Sequence, residues 1–190
     1  MSLFQNIVII LILIVGAGFL SLTEIALAGA RKVKLKILAE SGDERAQKVL
    51  DLQENSADFF AASQIGLNAV AILGGILGEG AFRPYFYNLV VRFYQGPWAE
   101  TLSFALSFTL VTSLFILFAD LMPKRLAMIA PEKIAISVIN PIQIFIRVCK
   151  PLAWMINAIA NMLFRLFKVN TTREDNITFD DISAVMDAGA

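Results

Sequence analysis

The sequence predicts an all-α membrane protein: three transmembrane helices with amphipathic juxtamembrane helices beside them. Three observations carry that prediction. Hydrophobic residues make up 57% of the 190 and mean hydropathy is +0.69, a balance typical of membrane helices and rare in soluble domains. Three apolar stretches are each long enough, at about 1.5 Å per residue, to cross a hydrocarbon core of roughly 30 Å. Each stretch also carries a short polar fragment: Ser21-Leu22-Thr23-Glu24, Gln64-Ile65-Gly66-Leu67-Asn68 and Ala119-Asp120-Leu121-Met122-Pro123-Lys124. Ionisable groups are costly in lipid, so they tend to face a bundle interior and mark an ion or substrate path.

The first span runs from Ile7 to Ala30, where Ser21, Thr23 and Glu24 are the only polar side chains. It reads as a span rather than a signal peptide, because Met1–Asn6 carry no positive side chain and the apolar run is too long for an h-region. Residues 31–55 then turn basic, with Arg31, Lys32, Lys34, Lys36, Arg45 and Lys48. Val33, Leu35, Ile37 and Leu38 precede a break at Ser41-Gly42-Asp43, and Ala46, Val49, Leu50 and Leu52 follow it. That spacing predicts two short amphipathic helices at the membrane surface. The positive-inside rule places them in the cytoplasm and the N-terminus outside, as expected for a bacterial inner-membrane protein.

The second span is expected from about Phe59 to Leu77, with Gly66, Gly74 and Gly75 allowing close helix approach. Residues 79–100 hold Pro84, Gly96, Pro97 and several aromatics, which suits an external loop with an interfacial aromatic belt. The third span, about Leu102 to Leu121, returns to the cytoplasm and ends at Pro123-Lys124-Arg125. Residues 134–168 are interrupted by Pro141 and Pro151, with Arg147 and Lys150 between. Helices lying at the inner surface or re-entering from it are expected there, because a fourth span would carry Arg165, Lys168 and Arg173 outside. Thr178-Phe179-Asp180-Asp181 resembles a capping box opening a helix that has barely begun at Ala190. Residues 1–170 are thus expected to form the transmembrane domain and 171–190 to begin a cytoplasmic linker helix, with the natural protein continuing beyond it.

Composition narrows function. Net charge is zero, so no basic field attracts nucleic acid. There is no histidine, and Cys149 is alone, which removes disulfide frameworks and multi-cysteine metal sites. No nucleophile–base pair points to an enzyme. No Walker A motif points to ATP hydrolysis, so a gradient or the membrane potential would drive transport.

The polar fragments have helical order. Ser21 and Glu24 share a face, as do Gln64 and Asn68, and Thr109, Thr112, Ser113 and Asp120 recur three, four and seven residues apart. Three such stripes facing one another would make an oxygen-rich pocket. The threonines and Ser113 also suit plain hydrogen bonding between helices. Asp120 is one turn before Lys124 and would pair with it, and Glu24 would neutralise Lys124 or Arg125. The candidate cation-binding residues are Ser21, Glu24, Gln64, Asn68 and Asp120, with Pro123, Lys124 and Arg125 as a cytoplasmic gate or belt. Oxygen donors without His or Cys suit hard cations such as Mg²⁺, and equally suit organic ammonium groups.

These motifs resemble the CNNM/CorC membrane domain, also called DUF21. The resemblance lies in Phe19-Leu20-Ser21-Leu22-Thr23-Glu24-Ile25-Ala26, in Gln64-Ile65-Gly66 and in Ala119-Asp120-Leu121-Met122-Pro123-Lys124, in order along nearly the whole chain. Gln64–Gly75 and Phe115–Arg125 look most like the family's polyamine export branch. The resemblance implies a homodimer in the bilayer, three spans per subunit, a cytoplasmic belt of juxtamembrane helices, and a following CBS pair that binds adenine nucleotide. No cofactor is expected within the membrane domain itself, apart from Mg²⁺ at the membrane site should that be the cation handled. Many such proteins export Mg²⁺, held by positions matching Ser21, Asn68 and Asp120, with Glu24 a weaker match. Two departures weigh against a tight Mg²⁺ cage. Ala71 stands where many relatives carry asparagine, and Asp120 is one methylene shorter than the usual glutamate. Dehydrated Mg²⁺ demands oxygens at about 2.0–2.1 Å, whereas a diamine such as putrescine or cadaverine tolerates more room. Polyamine efflux is therefore the leading expectation, ahead of Mg²⁺ or Co²⁺ efflux and of a non-transporting dimerisation anchor.

Overall fold

The structure, a computed structural model, describes residues 3–166. Among these residues the elements are all helical: α1 (Leu3–Gly29), α2 (Lys32–Glu40), α3 (Glu44–Glu54), α4 (Ala57–Phe93), α5 (Ala99–Leu114), a π-helical segment (Phe115–Leu121), α6 (Met122–Ile129) and α7 (Pro131–Leu166). The expected boundary at residue 170 and the capping box at Thr178–Asp181 lie outside the described residues. The chain forms two compact units, Met1–Ala153 and Trp154–Ala190. The described part of the second is the C-terminal stretch of α7.

Among the described residues four helical runs are long and apolar enough to cross a membrane: Phe4–Gly29, Ala57–Phe93, Ala99–Ile129 and Pro131–Ile156. Leu11, Ile12 and Val15 of α1, Ile72, Leu73 and Ile76 of α4, and Leu102 and Phe108 of α5 are all exposed. Apolar side chains exposed over so much of three helices require lipid or a partner surface rather than water. The chain is a multi-pass membrane protein.

The short basic helices form where the spacing predicts them. Gly42 ends α2 with φ at 99°, a left-handed conformation that costs a side-chain-bearing residue roughly 1–2 kcal/mol. The N–H of Gly42 reaches the carbonyl of Ala39 at 3.0 Å, and that of Asp43 reaches Leu38 at 3.1 Å. Asp43 then caps α3, accepting from the Arg45 backbone N–H at 3.0 Å. The Arg45 guanidinium also donates to this carboxylate at 3.1 Å, and holds its pKa below the ordinary aspartate value.

Two sequence expectations are corrected. The external loop expected over 79–100 is largely helix, because α4 runs unbroken for 37 residues to Phe93 and includes Pro84. A proline ring crowds the carbonyl four residues earlier. Here that residue is Gly80, in open space, so the turn has freedom to yield. The helix of the third span likewise does not stop at Pro123. Helix continues for 31 residues, Ala99–Ile129, with the π-helical segment just before Pro123. A π turn already departs from the i→i−4 ladder that proline would break.

α4 and α5 pack closely. A Cβ on Gly78 would collide with Val111, and one on Gly74 with the Phe115 ring. These glycines let the two backbones approach.

The prolines of α7 do not divide it, contrary to the short pieces expected, and it continues through Pro141 and Pro151. Its contacts show which way its first part runs. Glu132 meets Arg31 at 3.1 Å, Asn140 accepts from Lys48 at 3.3 Å, and Lys150 lies 4.0 Å from Asp58. Eighteen helical residues advance about 27 Å. Yet all the partners come from residues 31–58, which join α1 to α4 at one end of the bundle. The first part of α7, from Glu132 to Lys150, therefore passes across that end. A Cβ on Gly66 would lie 2.7 Å from both Leu20 and the Phe145 ring, so Phe145 reaches between α1 and α4. The buried cluster gathers at the same end, from Leu20 and Leu27 of α1, Leu35 of α2, Val49 and Leu50 of α3, Phe59 of α4, Ala127 of α6, and Ile139 and Ile142 of α7.

Candidate functional site

The polar stripes of α1 and α4 and Asp120 of the third run meet at one cavity of about 310 Å³. Helix α1 presents Ala17, Ser21 and Glu24, spaced by four and three residues so that all project from one face. Helix α4 presents Gln64, Leu67, Asn68 and Ala71 with the same periodicity. The third helical run contributes Phe115, Ile116, Ala119 and Asp120 from the π-helical segment, and Lys124 from α6. Ser21, Glu24, Gln64, Asn68 and Asp120 thus line a common space, along with Lys124.

Two hydrogen-bonded groups span it. The buried Ser21 hydroxyl donates to Asp120 Oδ1 at 3.1 Å. Lys124 Nζ lies 2.5 Å from the same oxygen. Across the cavity Gln64 Nε2 donates to Glu24 Oε1 at 3.2 Å. Glu24 therefore engages Gln64, whereas the sequence suggested Lys124 or Arg125 as its partner. Asp120 and Lys124 keep 46% and 34% of their side-chain surface, so their pair is accessible from the cavity rather than sealed in the core. Thr23 takes no part, since its hydroxyl donates to the Phe19 carbonyl at 2.7 Å.

The three residues expected to form a gate separate. Pro123 is buried and faces α1, where a Cβ on Gly18 would lie 3.2 Å from its ring. Lys124 enters the cavity, and Arg125 is exposed. Thr109, Thr112 and Ser113 do not join Asp120 at this cavity. The π-helical segment lies between them and Asp120, and its wider turn shifts the phase of the helix. Thr112 instead lines a second cavity of about 550 Å³ with Glu79, Phe104 and Phe108.

Sequence reasoning passed over Glu79 and Arg83. They form an ion pair at 2.6 Å, and the Arg83 guanidinium sits 5.4 Å above the centre of the Phe104 ring, within cation–π range. The i, i+4 acid–base spacing was visible, but a loop assignment concealed it.

The donor set is chemically simple. Two carboxylates, a buried hydroxyl and two side-chain amides surround the space. Among the described residues no group of three or more His, Cys, Asp or Glu converges to hold a metal ion. The cation that the structure does show against Asp120 is an alkylammonium, that of Lys124.

Comparison with known proteins accords with these motifs. The family of the cyclin M transmembrane N-terminal domain matches residues 8–190. The chain belongs to this CNNM family. It is 54% identical over 186 residues to the polyamine export protein of Escherichia coli strain K12, covering 98% of this chain and 42% of that protein. It is 47% identical over 190 residues to the polyamine export protein of Haemophilus influenzae, covering 100% of this chain and 44% of that one. A more distant CNNM relative, UPF0053 protein sll0260 of Synechocystis, is 30% identical over 182 residues, covering 95% of this chain and 41% of that protein. The chain spans less than half the length of these curated relatives. The nearer two are named for export, not for a reaction.

Proposed function

We propose that this CNNM domain is the membrane part of a polyamine exporter, with putrescine or cadaverine as substrate. The observation that carries the reading is the cavity where Asp120, which accepts from the Ser21 hydroxyl, already pairs with an alkylammonium, that of Lys124. A diamine presents the same chemical group at each end. Ser21 and Asp120 would receive one ammonium, and Glu24, with the Gln64 and Asn68 amides, the other. Ala71 supports this reading, because it places a methyl group on the cavity wall where a dehydrated Mg²⁺ would need an oxygen. The names of the relatives point the same way.

The remaining features of the proposal follow from charge and length. The basic helices α2 and α3 belong on the cytoplasmic side of the inner membrane, which puts the N-terminus outside. The first part of α7, crossing that end of the bundle, belongs to the same cytoplasmic layer. Two copies would pair in the bilayer, and a CBS pair binding adenine nucleotide would follow. The substrate would enter from the cytoplasm, and rocking of the helices would expose it outside. A gradient or the membrane potential would drive the cycle.

Thermal unfolding at constant ionic strength tests the substrate, with putrescine, cadaverine and Mg²⁺ compared and Asp120→Asn as control. A ligand at 100 times its Kd stabilises by about 2.7 kcal/mol. Stabilisation by diamines that Asp120→Asn abolishes is the expected result. Stabilisation by Mg²⁺ alone would replace the proposal with Mg²⁺ export, and no response to any of the three would favour a dimerisation anchor.

A further inference from the structure

We propose that Lys124 is a tethered competitor for the transported cation, holding Asp120 when the site is empty and released from it when substrate binds. The inference rests on the cation-export reading of this cavity and adds a specificity-determining residue to it.

Three observations converge on Lys124. It lines the cavity and does not turn outward as the adjacent Arg125 does. Its ammonium lies 2.5 Å from Asp120 Oδ1. Ser21 donates to that same oxygen, so the lysine occupies the position a substrate ammonium would need. A cation that reaches Asp120 must therefore displace Lys124 or stay out.

Charge gives the displacement a purpose. The ionisable residues lining the cavity are Glu24, Asp120 and Lys124. With Lys124 in place, one of the two carboxylate charges is cancelled. The empty cavity then carries one net negative charge, which reduces the cost of an empty site within the bilayer. A diamine carries two positive charges. It matches Glu24 and Asp120 only after Lys124 has left, so full neutralisation and lysine release accompany each other. A monovalent inorganic ion offers one charge and gains little by evicting a lysine that already supplies it. The device thereby favours dications that can span both carboxylates.

The side chain is suited to such an exchange. Lysine is a compact charge on a flexible stem with three rotatable donors. It retains 34% of its side-chain surface, so a route out of the pair exists. A guanidinium held by a flat two-point contact would leave less readily.

The test uses the full-length protein in lipid nanodiscs. Putrescine affinity is measured by calorimetry for the unaltered protein and for Lys124→Met, Lys124→Arg and Asp120→Asn. Removing the competitor is expected to tighten putrescine binding at least ~10-fold in Lys124→Met, equivalent to about 1.4 kcal/mol. Lys124→Arg keeps the competing charge in a group that leaves less readily, so it binds putrescine no more tightly than the unaltered protein. Putrescine affinity that is unchanged or weakened in Lys124→Met would overturn the proposal, since a lysine that merely positions Asp120 predicts weakening. If Asp120→Asn loses binding while Lys124→Met also weakens, the export reading survives and the competitor role fails. If neither the unaltered protein nor any variant binds putrescine or Mg²⁺, both fail.

A second measurement does not depend on the stability of Lys124→Met. Lysines of the otherwise unaltered protein are dimethylated with a ¹³C label, which preserves their charge, and the Lys124 signal is assigned through Lys124→Arg. On adding putrescine the signal is expected to move to the position of a free dimethyl-lysine. A signal that stays in place under saturating putrescine would overturn the proposal.

Discussion

Replacing Ser21 with alanine removes one oxygen and leaves the fold nearly untouched. The side chain is fully buried, and alanine fits wherever serine does. What disappears is the hydroxyl donating to Asp120 Oδ1 at 3.1 Å. A hydrogen bond to a charged acceptor contributes about 1.5–3 kcal/mol. Asp120 is nearly half exposed and also holds Lys124, so solvent screening and the remaining partner place the loss at the lower end. About 1.5 kcal/mol corresponds to roughly a tenfold weaker Kd. The loss acts on the ligand because Ser21 fixes the direction of the carboxylate that receives the substrate ammonium. Calorimetric titration of putrescine into the Ser21→Ala variant reads it directly, and thermal unfolding without ligand serves as the control for folding. A Kd unchanged within twofold would refute the reasoning, showing either that Asp120 is oriented without Ser21 or that the diamine binds elsewhere.

Other consequences are simpler to state. Gly78→Leu drives a side chain into Val111 and parts α4 from α5. It should destabilise the domain by about 1–3 kcal/mol, read as a lower melting temperature in lipid, and an unchanged melting temperature would contradict the close approach. Glu132→Gln removes the negative charge shared by Arg31 and Lys34. Both bases are well exposed, so the loss should be no more than about 1 kcal/mol, seen as faster hydrogen exchange in the first turns of α7, and unaltered exchange there would argue against the contact. Arg83→Ala strips Glu79 of its ion pair and Phe104 of its guanidinium. It should cost about 1–3 kcal/mol, mostly restored by Glu79→Gln in the same chain, and failure of that rescue would show that the pair is not what holds this region.

The legible parts of this molecule were those where one physical signal dominates. The basic run after Ala30, the Gly42 break and the helical spacing of Leu35 and Val49 gave α2 and α3 with their limits nearly correct. Ser21 with Glu24, and Gln64 with Asn68, gave two walls of the cavity, because α-helical phase is reliable over one turn. Two things were hidden. Proline and aromatic composition suggested a loop over 79–100, yet Pro84 follows a permissive Gly80 and the helix absorbs it. The π-helical segment was invisible, since nothing in Phe115-Ile116-Leu117-Phe118 marks a change of pitch. Extrapolating α-helical phase from Thr109 to Asp120 therefore misplaced three of the four polar residues on that run.

Two acids of the long apolar helices are each answered by a base one turn on. Glu79 is answered by Arg83, and Asp120 by Lys124, each four residues on. A local base lowers the cost of placing an acid in lipid, because the pair enters as a neutral unit. The two pairs then diverge in what surrounds them. Arg83 lies over the Phe104 ring as well as beside its acid, so its removal forfeits two attractions at once. Lys124 has no ring contact among the described residues, and its acid is shared with a serine hydroxyl that stays behind when the lysine leaves. The first pair is therefore the harder to open and suits a fixed helix–helix joint. The second leaves a carboxylate still oriented by Ser21 after release, which is the condition an exchange of one ammonium for another requires.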